Sequence, residues 1–155
     1  MSDQPQQPVF TIEKVYVKDL SLELPHAPQV FLETQAPQVD VQIGSAANPV
    51  QEGLYECTLT LTVTAKVGEK TYFLVEVTQA GIFQIRNVPQ SDLDPILGIA
   101  CPNILFPYGR EVVADLISRG GFPPVHLAPI NFEAVYAQRV QQQAQAGGPK
   151  IEIPH

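Results

Sequence analysis

The feature that most constrains this chain is an unbroken alternation at its centre. Over Leu54–Lys66, Tyr55, Cys57, Leu59, Leu61, Val63 and Ala65 fall on one face, and Glu56, Thr58, Thr60, Thr62, Thr64 and Lys66 fall on the other. A period of two belongs to a half-buried strand, because like residues on a helix recur every three to four positions. Gly68 marks a turn and Thr71–Gln79 resumes the strand pattern, so the two segments read as a β-hairpin. A ribbon that is apolar on one side needs a cover, which the rest of the chain must supply.

Upstream, Leu20, Leu22 and Leu24 alternate with Asp19, Ser21 and Glu23, and Val39, Val41 and Ile43 alternate with Asp40 and Gln42. These are two further strands. Pro25, Pro28 and Pro37 make the stretch between them a connection. Downstream the period changes. Leu105, Tyr108, Val112 and Leu116 recur at helical spacing within Asp92–Gly121. Pro102 and Pro107 predict that the chain approaches this helix through a kinked segment, Cys101–Pro107, and Gly120-Gly121 closes it. A second helix starts at Asn131, carries the stripe Phe132, Val135, Tyr136 and Val140, and fades over Gln141–Gln143. Strands first and helices afterwards predict an α+β fold, a four-stranded antiparallel sheet with two helices packed on one side. Residues 1–8 and 144–155 read as tails flanking a single domain, 9–143.

The residues that carry chemistry are scattered. Cys57 alternates inward, Cys101 precedes Pro102 in an apolar run, and His26 and His126 sit in proline-rich loops. No pair has the spacing of a metal site, and no glycine-rich phosphate loop occurs. Asp92 and Asp94 are an acidic helix start. Neither an enzyme nor a cofactor or metal is expected. The 16 acids against 9 bases, net −7, argue against nucleic acid and against an anionic membrane as partners. The polar, proline-broken start carries no export signal, and no apolar run reaches the length of a membrane span. A cytoplasmic protein with reduced cysteines is expected.

What remains is surface. Ten acids and four bases lie in residues 1–80, so the acidity belongs to the sheet half. The outward strand positions Asp19, Glu23, Glu56 and Glu76, with Leu74 among them, form either a solvated face or an acidic docking face. The inward positions Phe73, Val75 and Val77 join Tyr55, Leu59 and Leu61, more apolar surface than two modest helices cover, which points to association. The charged fraction, 16%, is low and also suggests a covered surface. A small apolar-ligand carrier, with a pocket between sheet and helices, is the competing class.

The run Cys101-Pro-Asn-Ile-Leu-Phe-Pro-Tyr-Gly-Arg-Glu111 resembles the signature of SecB, the bacterial protein-export chaperone family. Val15–Glu23, Phe73–Glu76, Gly81–Phe83, Ser118–Pro123 and Leu127–Phe132 agree in the same order, so the likeness covers about residues 9–143. It implies a homotetramer built as a dimer of dimers. It also implies a chaperone that binds unfolded preproteins without ATP and passes them to the SecA motor. By position it implies SecA docking at Asp19, Glu23, Leu74 and Glu76. Client grooves are implied at Phe31, Val39, Val41, Phe122, Val135, Tyr136 and Val140. Subunit packing is implied through Phe73, Val75 and Val77 with the first long helix. Gln35 stands about where the family's crossover carries a Trp, and Arg139 where an aromatic is familiar.

Overall fold

The computed structural model describes residues 6–151, with side chains through residue 145. Of the expected tails, residues 1–5 and 152–155 lie outside the described residues. Four long strands, β1 (Val9–Glu23), β2 (Gln38–Gln51), β3 (Leu54–Val67) and β4 (Lys70–Arg86), form one antiparallel sheet in the order β1-β4-β3-β2. The central alternation builds the core: Cys57, Leu59, Leu61, Val63 and Ala65 are buried, as are Phe73, Val75, Val77, Phe83 and Ile85 of β4.

β1 and β4 are longer than the sequence pattern predicts. Register shifts between Ile12 and Lys14 and between Val17 and Asp19 break the alternation of β1. Each such bulge flips the following side chains to the other face and hides the period. In β4, Ala80 and Gly81 interrupt the pattern but not the strand. A Cβ at Gly81 would lie 2.9 Å from Phe83 Cε1 and 3.1 Å from Leu105 Cδ2, so the small residue admits the helix above it.

That cover is α2 (Cys101–Arg119), which packs over β3 and β4 with Leu105, Val113 and Ile117 fully buried. The expected kink at Cys101–Pro107 is absent. Pro102 falls in the first turn, and Pro107 is accommodated inside a continuous helix. The irregularity lies upstream, where α1 (Gln90–Pro95) leads into a π turn, Ile96–Ala100, whose widened register is visible as the Cys101 N–H donating to the Ile96 carbonyl. Gly120 follows α2 and Gly121 takes φ 88°. α3 (Phe132–Ile151) continues past Gln141–Gln143, where the apolar stripe ends. Gln and Ala are good helix formers, and the exposed Gln141–Gln145 prolong the helix.

Phe73, Val75 and Val77, expected at a subunit contact, lie inside the single subunit. They retain 2%, 0% and 0% exposure in the isolated chain, where α2 packs on β4 and the Phe122 ring lies 5.1 Å from that of Phe73. Nothing of these side chains is left to bury against another subunit.

Candidate functional sites on the two sheet faces

Among the described residues, the outer face carries no helix. Ladder register aligns Glu23 of β1, Leu74 of β4, Thr64 of β3 and Asp40 of β2 in one row across the sheet. The next row is Ser21, Glu76, Thr62 and Gln42, and the next is Asp19, Thr78, Thr60 and Gly44. Asp19, Glu23, Leu74 and Glu76 therefore share one face, with Leu74 half-buried and the acids exposed. Strand spacing puts Glu23 and Asp40 about 14 Å apart across that row. Thr62 Oγ1 donates to Glu76 Oε2 at 2.9 Å and fixes its direction. Asp40 extends the acidic row; its alternation with Val39 and Val41 already marked it as outward.

Further along this face the charges are consumed locally. Tyr16 Oη donates to Glu56, and Lys18 Nζ pairs with Glu56 Oε1 at 2.9 Å. The Tyr16 hydrogen bond, then the Lys18 ammonium, hold the Glu56 carboxyl below the usual range. Burial, then the Glu56 hydrogen bond and charge, push the Tyr16 hydroxyl up to about 12. Glu56 is thus a structural anchor, while Asp19, Glu23 and Glu76 are left facing solvent.

The inner face is only partly covered. α2 lies on β3 and β4, and the edge strand β2 keeps Val39, Val41 and Ile43 at 40%, 38% and 38% exposure. Val39 is in register with Ala65, and Ala65 with Phe73. Phe73 leads directly into an aromatic group, since Phe122 lies with ring centroids 5.1 Å from Phe73, 5.3 Å from Phe31 and 6.3 Å from Tyr72. Phe31 is half-exposed, and Tyr72 Oη donates to the Gln35 carbonyl, tying the crossover to β4. Phe31, Phe122, Val39 and Val41 therefore gather at one end of the inner face. Ile43 continues the stripe and Tyr72 the aromatic group; the β2 alternation gave the signal for the first, and none was available for the second.

Val135, Tyr136 and Val140 lie elsewhere, on α3, whose neighbour is the π turn. Tyr136 Oη donates to Asp94 Oδ2 at 2.7 Å, and that bond pushes the phenol pKa up. Arg139 sits with its guanidinium 5.6 Å from the Tyr136 ring centroid and reaches Ser45 Oγ at 3.4 Å. Ser45 and Ile43 are on the same face of β2, so the two groups of candidates are linked along that strand and not packed together.

A third surface was not assigned from sequence. Phe10, Ile12, Val17 and Leu20 of β1 and Tyr108 of α2 are 39–51% exposed. Between them a cavity of about 530 Å³ is lined by Val15, Val17, Gln79, Pro107, Tyr108 and Val112, among others. Gln79 is 2% exposed, and its Oε1 is the one buried side-chain polar atom without a partner among the described residues. Cys57 and Cys101 are free and fully buried; their mutual hydrogen bond, with burial, pushes the Cys101 thiol up. Among the described residues no group of three His, Cys, Asp or Glu could hold a metal ion, and no helix is long and apolar enough to cross a membrane.

A bare acidic sheet face, a half-covered apolar face and a helix docked at its end define a SecB-like chaperone fold. The same architecture occurs in the Mycobacterium tuberculosis Rv1957 SecB-like chaperone, solved in complex with a ChAD peptide from the Rv1956 HigA1 antitoxin. That match has TM-score 0.65 and 16% identity, and covers 78% of this chain and 90% of that one. The family model for preprotein translocase subunit SecB matches residues 3–143, and the chain belongs to the SecB family. The protein-export protein SecB of Chromobacterium violaceum is 65% identical over 148 residues, 95% of this chain and 99% of that protein. Those of Methylobacillus flagellatus (62% identical, 94% of this chain, 92% of that protein) and Neisseria meningitidis serogroup A (58%, 92% and 96%) are similar along nearly their whole length.

Proposed function

We propose that this protein is a cytoplasmic, ATP-independent chaperone that holds unfolded preproteins on its inner face and hands them to SecA through its outer face. The observation that carries the reading is the stripe Val39, Val41 and Ile43, left over a third exposed beside the Phe31–Phe122 aromatic group. An unfolded chain offers apolar segments that a folded one hides, and burying them returns roughly 25 cal/mol per Å² without regard to direction. Sequence selectivity is then weak, and slow folding selects the client. The row Glu23, Leu74, Asp40, with Asp19 and Glu76 beside it, supports docking of a basic partner surface around one apolar anchor.

In this reading the chain works as a homotetramer, a dimer of dimers. Its assembly surface is the flank formed by β1 and α2, where Ile12, Val17, Leu20 and Tyr108 are exposed and Gln79 Oε1 awaits a donor. A second copy covering the 530 Å³ cavity would remove it as a small-ligand site. Refolding of a purified secretory precursor, with and without this protein, tests the proposal. The expected result is delayed refolding by an assembly four times the 17.0 kDa subunit, with no added nucleotide. Glu76→Lys should retain that delay and lose SecA binding. Unchanged refolding, or a monomer that takes up one compact apolar compound, would overturn it.

A further inference from the structure

α3 is held at two places by hydrogen bonds and ring contacts. The first is its root. Asn131 Oδ1 caps the helix by accepting from the Ala134 N–H at 3.1 Å, and Phe132, 4% exposed, meets Phe106 edge-on with ring centroids 6.0 Å apart. The second is one turn on, where three other elements converge on Tyr136 and Arg139. From α1, Asp94 accepts the Tyr136 hydroxyl at 2.7 Å. From β2, Ser45 meets Arg139 Nη1 at 3.4 Å. From the π turn, Gly98 forms the floor: a Cβ there would stand 2.5 Å from Tyr136 Cδ1, 2.8 Å from Tyr136 Cε1 and 2.8 Å from Arg139 Nη2. Beyond this point Val140 is 43% exposed and Gln141–Gln145 are exposed.

This geometry is that of a lever with a root and a latch. Backbone contact between Gly98 and an aromatic ring fixes the approach of α3 more tightly than a side-chain contact would. The ring is rigid, with two rotatable bonds, and cannot fold away from an added methyl as a long aliphatic chain can. The π turn supplies the widened backbone on which the ring sits. We infer that Asp94 and Gly98 are positioning residues for the client surface: by latching Tyr136 they set the angle of α3, and so how far Val135 and Val140 stand from the exposed stripe of β2. Neither residue need touch a client. The inference rests on the proposed role of α3 and β2 in holding unfolded chains.

Pulsed electron–electron double resonance between spin labels at Asn48 of β2 and Gln141 of α3 reads the angle directly, with labelled subunits diluted into unlabelled ones. Gly98→Ala is expected to move the distance distribution outward by several ångströms, and Tyr136→Leu to broaden it. Tyr136→Phe, which keeps the ring and removes only the hydroxyl, should fall between. Gly98→Ala and Tyr136→Leu should each lose affinity for an unfolded precursor several-fold while circular dichroism and assembly mass stay those of the parent. A distribution unmoved in Gly98→Ala and in Tyr136→Leu overturns the latch. A moved distribution with parental precursor affinity overturns the positioning role. A parent that binds no precursor, whatever its distances, is instead a failure of the proposed function. Should Gly98→Ala not fold, Tyr136→Leu and Tyr136→Phe carry the test, since their side chains lie at the surface end of the contact.

Discussion

Val75→Ala separates a residue that builds the subunit from one that joins subunits. Val75 is fully buried, with Leu22 of β1 and Val63 of β3 beside it in register and α2 above. The substitution removes two methyl groups. At about 0.8 kcal/mol each this is about 1.6 kcal/mol of transfer free energy, and the cavity left under a helix that cannot collapse onto it raises the cost to about 2–3 kcal/mol. For a denaturant slope of about 2 kcal/mol/M, the urea midpoint falls by roughly 1 M. Circular dichroism gives the midpoint, and light scattering along a dilution series gives the mass. Because the side chain has no surface to share, the mass-against-dilution curve should stay in place. Leu20→Ala, at a residue 47% exposed, should do the reverse, moving dissociation to higher concentration. A Val75→Ala protein that dissociates more readily with its midpoint unchanged would refute the placement of Val75 inside the subunit.

Two further outcomes follow from buried or paired groups. Cys57 and Cys101 should be silent to a thiol reagent at neutral pH in the native protein and should both react in denaturant, since each is buried and Cys101 is held as the neutral thiol. Reaction of either at the rate of a free thiol would contradict the burial. The Tyr16 hydroxyl is raised in the fold, so the stability it contributes is complete below its unfolded value of about 10 and is lost as pH rises through about 12. Glu56, lowered, contributes above its unfolded value of about 4.3 and loses that as pH falls. Unfolding curves of Tyr16→Phe should lack the alkaline loss and show a smaller acid loss below about pH 4.3 than the parent; superimposable profiles would exclude the pairing.

The strands were legible wherever the alternation ran undisturbed. Leu54–Lys66 reads directly because β3 is central and regular, with one face buried and the other lined by threonine. The first half of β1 was invisible because two register shifts reset its period, and the end of β4 because Gly81 imitates a turn while serving a close approach by Leu105. Proline misled at Pro107, where a helix interior accepted it, and left the real irregularity, the π turn, unannounced. The acidic row was legible because period two alone decides which side a residue faces. The burial of Phe73, Val75 and Val77 within the subunit was not legible for a related reason: alternation tells which face a side chain joins but not whether other parts of the same chain already lie on it. The Asp94–Gly98–Tyr136 contact depends on three elements far apart in sequence, and no local pattern could carry it.

The strand order β1-β4-β3-β2 has a consequence for the birth of the molecule. Val9 pairs with Arg86 and Glu23 with Leu74, so the first strand synthesised has no neighbour until the fourth is complete. β2, β3 and β4 close locally, one turn at a time, while β1 must bridge a long loop and is the slow step by loop-closure entropy. Until it docks, Phe10, Ile12, Val17 and Leu20 hang on an unpaired segment of the nascent chain. This protein passes, during its own synthesis, through the state of having an apolar strand in need of shelter.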